Sequence, residues 1–143
     1  MQPNLTPYAA LLLRLSLGAI LLAHGLYMKI MTVGLTNVMA YFGRIGFPPI
    51  LAPIVAFGET AAGIALVVGV MVRPASVLVL PILIGAALQH TGNGWMFASP
   101  RGGWEFPVLL IVLAVVQALL GAGAFALEPV REKLRKFLPA WAV

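Results

Sequence analysis

Glu59 is the only charged residue in the apolar run 50–72, ILAPIVAFGETAAGIALVVGVMV. About 20 apolar residues in a helix cross the hydrocarbon layer of a bilayer, so this run predicts a membrane-spanning helix. A carboxylate near the middle of such a helix costs about 3 kcal/mol, and it is expected to face protein or water and to have a partner. The run therefore predicts a polar site inside the membrane, built around Glu59.

Arg14 is the predicted partner of Glu59, since it interrupts an earlier apolar segment, 8–28. Its long side chain reaches toward the membrane centre, and a guanidinium meets a carboxylate in a bidentate fork. Gly18 follows Arg14 by one turn and Gly63 follows Glu59 by one turn, so the two helices are expected to approach closely. The predicted Arg14–Glu59 pair is equally consistent with a purely structural role, in which it orients the two helices, and with a chemical role.

Four further polar residues fall toward one end of the predicted helices, which we take as the outer end: His24, Lys29, His90 and Glu105. Imidazole titrates near neutral pH, so the histidines suit proton transfer beside a quinone. Hydrogen bonds to backbone or headgroups are the simpler interpretation, and axial ligation of a b-type haem is the least favoured. Glu105 also suits a helix N-terminus. The assignment is Glu59, His24 and His90 as catalytic, Arg14, Lys29 and Glu105 as cofactor-binding, and no metal ligands.

The composition excludes several classes of protein. The chain has 143 residues, of which 62% are hydrophobic and 9% charged, so a soluble catalytic domain is not expected. It contains no cysteine, which excludes thiol redox chemistry, disulfides and iron–sulfur ligation by its own residues. The net charge is +5, but the basic residues lie in loops, a tail and helix interiors, so nucleic-acid binding is not expected.

The apolar segments predict an all-α membrane protein, a four-transmembrane-helix bundle in a single domain, 1–143. The predicted spans are 8–28, 50–72, 74–90 and 105–127, followed by a basic tail, 128–143. Arg73-Pro74 is expected to end the second span, and Pro81 to kink the third. A short interfacial helix is predicted between the first two spans, because four apolar residues recur there at helical spacing; a surface loop is the alternative. These residues are Leu35, Val38, Met39 and Phe42.

Four spans place both termini on one side of the membrane. Arg73 and the tail residues Arg131, Lys133, Arg135 and Lys136 then oppose Lys29, Arg44 and Arg101. The positive-inside rule places the first group, and both termini, in the cytoplasm.

An ordered set of residues resembles the DoxX family of small bacterial and archaeal four-helix membrane proteins. The set consists of Arg14 with Leu17-Gly18, His24-Gly25, Lys29, Phe42, Gly46 with Pro48, Gly58-Glu59, Gly63, Gly69, Arg73, Asn93-Gly94 and Gly103 with Glu105. The resemblance implies an inner-membrane protein linked to thiosulfate:quinone oxidoreductase, to terminal quinol oxidases or to complexes that handle thiol stress. Because this chain has no cysteine, any thiol chemistry would belong to a partner.

Three functions remain open at this point. The first is a quinone-facing subunit that depends on a soluble or membrane oxidoreductase partner for electrons, because the chain offers no electron carrier of its own. The second is a non-catalytic scaffold or small-ligand binder. The third is a transporter of small solutes, which would require a homo-oligomer because four short helices leave little room for a pore.

Overall fold

The computed structural model describes residues 3–127, 132–133, 135–139 and 141, and every regular element in this part of the chain is helical. Part of the predicted basic tail, including Arg131, lies outside the described residues. The α-helices in chain order are α1 Thr6–Leu22, α2 Leu35–Arg44, α3 Leu51–Val68, α4 Val72–Leu78, α5 Leu80–His90 and α6 Glu105–Leu120. A π-helical segment, Ala23–Val33, continues α1, and a 3-10 turn, Thr91–Asn93, extends α5.

Three helical stretches are long and apolar enough to cross a membrane. They are Thr6–Val33 with 28 residues, Leu51–Val68 with 18 and Val72–Asn93 with 22. The next apolar helix, α6, has 16 residues and is about 24 Å long at ~1.5 Å per residue. The all-helical prediction and the membrane character of these helices are therefore confirmed.

Helices α1 and α3 pack antiparallel through facing glycines. A Cβ added to Gly18 would lie 3.0 Å from the Gly63 carbonyl oxygen, and a Cβ added to Gly63 would lie 3.0 Å from the Gly18 oxygen. The predicted close approach at these glycines is confirmed. It also fixes the register: residue 18 lies opposite residue 63, and residues before 18 lie opposite residues after 63.

The core is small and lies where the helices meet. It contains mainly leucine, valine and alanine, and its members include Leu17, Leu66, Val79, Leu110 and Ala114. Large apolar side chains also cover the outside, such as Leu12 at 69% exposed and Leu119 at 75%. An apolar outer surface around a thin core is what a bilayer, rather than water, accommodates.

Three predicted helix ends differ from the observed ones, and a glycine with positive φ follows each observed end. The first helical stretch continues to Val33, before Gly34 at φ 82°, instead of ending at 28. Helix α3 ends at Val68 because Gly69 adopts the left-handed conformation, φ 80°, so Arg73 and Pro74 lie in the first turn of α4 instead of ending α3. Helix α6 ends at Leu120, seven residues before the predicted end at 127, because Gly121 has φ 79°. A kink was predicted at Pro81, and the structure separates α4 from α5 two residues earlier, at Val79.

Candidate functional site

Glu59 forms an ion pair with Lys29. The Lys29 Nζ donates to Glu59 Oε2 over 2.6 Å, and the side chains are only 14% and 9% exposed. At this distance and burial the attraction is much stronger than in water, and it compensates for part of the cost of removing both charges from solvent. The structure thus neutralises the carboxylate of the second apolar helix with a lysine from the first.

The π-helical segment brings Lys29 to this position. Gly25 lies four residues before Lys29 and directly against α3: a Cβ there would lie 2.7 Å from the Ala56 carbonyl oxygen and 2.8 Å from the Glu59 Cβ. The missing side chain lets the segment approach α3, and the next turn directs Lys29 to the carboxylate. Wide π turns are uncommon and occur often at functional sites, which makes this segment the natural place for a site.

The predicted Arg14–Glu59 pair was wrong. The Arg14 guanidinium, 1% exposed, donates to the carbonyl oxygens of Leu66 and Val67, both at 2.9 Å. It also donates to Ala124 at 2.9 Å and Phe125 at 3.0 Å. The reason is the register of α1 and α3, which places Arg14 opposite the last turn of α3, about 10 Å along the axis from Glu59.

Arg14 instead satisfies a helix C-terminus. The last four carbonyls of an α-helix have no partner within the helix, and the helix dipole favours a cation there. Gly69 permits the contact, because a Cβ at this position would lie 2.5 Å from the Arg14 Nη1. Arg14 therefore binds helix-end carbonyls at the opposite end of the bundle from the Lys29–Glu59 pair.

His24 lies on the π-helical segment five residues before Lys29 and is exposed on the outside of the helices. The segment packs against α1, α2 and α3, whereas α5, which carries His90, packs against α4, α6 and the turn at 91–93. The main packing of the helices therefore does not place the two histidines on facing elements, as ligation of one haem between two packed helices would need. The proposed haem gains no support from this arrangement.

His90 and Glu105 hold the loop between α5 and α6. The His90 Nδ1 lies 3.0 Å from the Gly102 carbonyl oxygen, and Asn93 Nδ2 donates to the same oxygen at 2.9 Å. Glu105 begins α6, as predicted for an acid at a helix N-terminus, and its Oε1 accepts from the Phe97 N–H at 2.6 Å. Both side chains have structural partners in the loop, and the structure records no contact of either with Glu59.

Lys29 as the partner of Glu59 was missed in the sequence. With residue 18 opposite residue 63, Glu59 lies opposite residue 22, so Arg14 is eight residues away along the first stretch and Lys29 is seven away on the other side. The glycine register therefore does not separate the two cations. The π-helical segment and the contact of Gly25 with α3 bring the lysine to the carboxylate, and residue type alone does not indicate either feature.

The pair offers definite chemistry. Lys29 uses one of its three possible N–H donors on Glu59 Oε2, so the ammonium can still contact a further acceptor. Transfer of one proton within the pair leaves both groups neutral, which a low-dielectric surrounding tolerates. No group of three or more histidine, cysteine or acidic side chains suited to a metal ion occurs within the described ranges.

Comparison with known proteins connects this arrangement to a family. The sequence model of the DoxX family matches residues 9–92, which contain Arg14, Lys29 and Glu59. The chain is 33% identical over 119 residues to the "Putative oxidoreductase CatD" of Bacillus subtilis (strain 168), a match that covers 83% of this chain and 84% of the relative. No solved structure matches the chain significantly.

Proposed function

Because this chain belongs to the DoxX family, and because it is similar to a protein named as an oxidoreductase, we propose that it is a membrane subunit of a quinone-linked redox assembly. In this proposal α1 with its π-helical segment, α3, α4 with α5, and α6 each span the plasma membrane of a bacterium or archaeon. The amphipathic α2 lies at the outer interface. A partner oxidoreductase supplies the electrons, since the chain has no cysteine and no redox cofactor is implied by its residues.

The proposed orientation is supported by the residues that share an end of the bundle. The Ala124 N–H donates to the Pro7 carbonyl oxygen at 2.9 Å, and Arg73 Nε donates to Ala118 at 3.2 Å, so the start of α1, the end of α6 and Arg73 lie together. Lys29 lies at the other end of the first helical stretch. With Arg73 and the basic tail on the cytoplasmic side, the Lys29–Glu59 pair lies toward the outer leaflet.

The buried Lys29–Glu59 pair is the observation that carries the proposal. Reduction of a quinone to a quinol takes two electrons and two protons, and both protons end on the carbonyl oxygens. Lys29 donates its proton to one such oxygen and becomes neutral. The Glu59 carboxylate takes up a proton that enters from the aqueous side and passes it to Lys29, which restores the ion pair, and the second proton follows by the same cycle. His24, exposed on the same segment, passes protons between the aqueous side and the pair. His90 and Glu105 shape the loop at this end.

Exchanging the charges of the two residues distinguishes a proton-handling role of the Lys29–Glu59 pair from a purely structural role. The single variants Glu59→Gln and Lys29→Gln each remove one partner, while Lys29→Glu combined with Glu59→Lys keeps an ion pair with the order reversed. We expect the exchanged protein to accumulate near wild-type level but to leave the quinone reductase activity of membranes at least tenfold lower. His24→Gln is expected to slow the reaction without changing accumulation. Activity at wild-type level in the exchanged protein would contradict a proton-handling role.

A non-catalytic scaffold is the second candidate, and one observation favours it. Both buried cations of the first helical stretch, Arg14 and Lys29, bond to α3, so both charges hold the same two helices together. If the protein is a scaffold, we expect the single variants to lose both accumulation and partner binding and the exchanged variant to recover both. We also expect the wild-type protein to show no quinone affinity, with or without the partner. Co-purification of the partner with each variant, followed by quinone titration, decides between the two functions.

A further inference from the structure

A polar cavity lies at the end of the bundle that is remote from the Lys29–Glu59 pair. It encloses about 170 Å³ between the turn after α3 and the turn after α6. Its lining includes Gly69, Met71, Arg73, Gly121 and Gly123, and none of the described residues that line it carries a carboxylate. The proposed redox function uses none of these residues.

Arg73 supplies the charge of this cavity. Its Nε donates to the Ala118 carbonyl oxygen at 3.2 Å, which fixes the guanidinium against the end of α6. Within the described part of the chain, the structure records no hydrogen bond from either Nη group of this half-buried side chain. A planar guanidinium with free Nη donors is suited to bind phosphate or carboxylate oxygens.

Gly121 keeps the space beside Arg73 open. A Cβ on Gly121 would lie 3.2 Å from the Arg73 Nη2, and Gly121 and Gly123 have φ values of 79° and 68°, which disfavour any other residue. Met71 has φ 50° without being glycine, an unfavourable conformation that is common beside binding sites. Two buried polar atoms at the same end, Arg14 Nε and Gln117 Oε1, have no partner among the described residues.

An apolar groove adjoins the polar cavity. It has a volume of about 480 Å³, is open to the outside of the bundle and is lined by Ala61, Ile64, Val68 and Leu127, among others. Met71 lines both the cavity and the groove, so the two lie side by side. The groove runs along the outer face of α3 toward the middle of the helix, where the acyl chains of a bilayer lie.

From this juxtaposition we infer that the cavity and the groove together bind an anionic phospholipid, with the phosphate on Arg73 and one acyl chain in the groove. The depth agrees with this ligand, since the cavity lies at the ends of α3 and α6, where the headgroups of a bilayer meet spanning helices. A free phosphate would satisfy Arg73 equally well but would leave the groove without an occupant. The inference does not depend on the redox proposal.

Native mass spectrometry of the full chain in detergent tests the inference, with phosphatidylglycerol, phosphatidylcholine and inorganic phosphate as separate probes. We expect phosphatidylglycerol to bind more tightly than phosphatidylcholine, and Arg73→Gln to weaken it roughly tenfold, as loss of a charge-assisted hydrogen bond implies. Arg44→Gln is the matched control, because Arg44 is exposed at the end of α2, and it is expected to change nothing.

A second variant tests the groove without touching the guanidinium. Ala61 is exposed on α3, so Ala61→Phe fills the groove and leaves the core intact. We expect this variant to lose long-chain phosphatidylglycerol and to keep a short-chain analogue. If Arg73→Gln does not accumulate, Arg73→Lys and Ala61→Phe still decide the question. Equal affinity for the two lipids, or unchanged affinity in Arg73→Gln, would overturn the inference. If inorganic phosphate binds as tightly as phosphatidylglycerol, the ligand of the cavity is a free anion and the lipid inference is wrong.

Discussion

Two buried cations of the first helical stretch behave differently although both bind α3. Lys29 meets a carboxylate side chain, whereas Arg14 meets only backbone carbonyls. A carboxylate in an apolar helix can be anticipated as the partner of a cation, because its burial cost is evident in the sequence. A backbone carbonyl at a helix end carries no signal in residue type, so the true partners of Arg14 could not be predicted. This difference explains why the polar site was predicted around the correct acid with the wrong base.

Replacement of Arg14 is expected to destabilise the protein strongly. Arg14→Met leaves four carbonyl oxygens without their donor, and we expect a loss of about 3 kcal/mol or more in the free energy of unfolding. Arg14→Lys keeps the positive charge but not the several N–H donors of the planar guanidinium. We expect it to lower the free energy of unfolding by about half as much as Arg14→Met does. Equilibrium unfolding in mixed detergent micelles measures both, with Arg44→Met as the exposed control. Stability within about 0.5 kcal/mol of wild type would exclude the capping role.

The Lys29–Glu59 pair is expected to show strong coupling. Each single change, Lys29→Met or Glu59→Leu, leaves one buried charge alone and is expected to cost about 3 kcal/mol, whereas the double variant is expected to cost less than either. A double-mutant cycle on the same unfolding equilibrium gives the coupling free energy. Additive losses would show that the two side chains do not interact in solution.

At the scale of elements, the sequence predicted where helices occur better than where they end. Apolar runs identified all the long helices, and the kink predicted at Pro81 lies two residues after the break between α4 and α5. The ends depended on glycines in the left-handed region, Gly69 and Gly121, and a glycine within an apolar run looks the same whether it packs inside a helix or terminates it. The π-helical segment was not predicted, because π-helices are rare and no residue pattern in 23–33 distinguishes one from an α-helix.

Glycines at the contact of α1 with α3 are expected to be intolerant of a single methyl group. Gly25→Ala places a Cβ 2.7 Å from the Ala56 oxygen, so we expect a loss of about 2 kcal/mol and a displaced Lys29. Gly85→Ala is the control within α5, where nothing lies within 4 Å, and helix propensity there predicts a gain of up to about 1 kcal/mol. If Gly25→Ala and Gly85→Ala change the free energy of unfolding in the same direction, the close contact of Gly25 with α3 is contradicted.

At the scale of the whole molecule, two polar regions occupy opposite ends of one apolar bundle. The Lys29–Glu59 pair lies near the end that carries the loop of His90 and Glu105. The cavity of Arg73 lies near the end where α1 begins and α6 terminates. The sequence predicted the first region from its charges. The second was missed, since Arg73 was interpreted only as a topology signal and the glycines around it have no chemical side chain.

The absence of cysteine makes the proposed orientation directly measurable. Single cysteines introduced at Asn4, Ser99 and Lys133 have no natural thiol to compete with them. In intact cells we expect a membrane-impermeant maleimide to label Ser99→Cys, and to label Asn4→Cys and Lys133→Cys only after permeabilisation. The opposite labelling pattern would show that the protein has the reverse orientation in the membrane. Labelling of all three cysteines in intact cells would rule out a fixed orientation.

The bonds from Arg14 to residues 124 and 125 cannot form until the whole of α6 has been synthesised. The ribosome synthesises this arginine more than a hundred residues before its last two acceptors. During that interval an incompletely bonded cation remains in the membrane or beside the insertion machinery. Maturation is therefore completed only when the segment after α6 returns to the first helix, and nascent chains stalled before that point should be preferred substrates of membrane quality-control proteases.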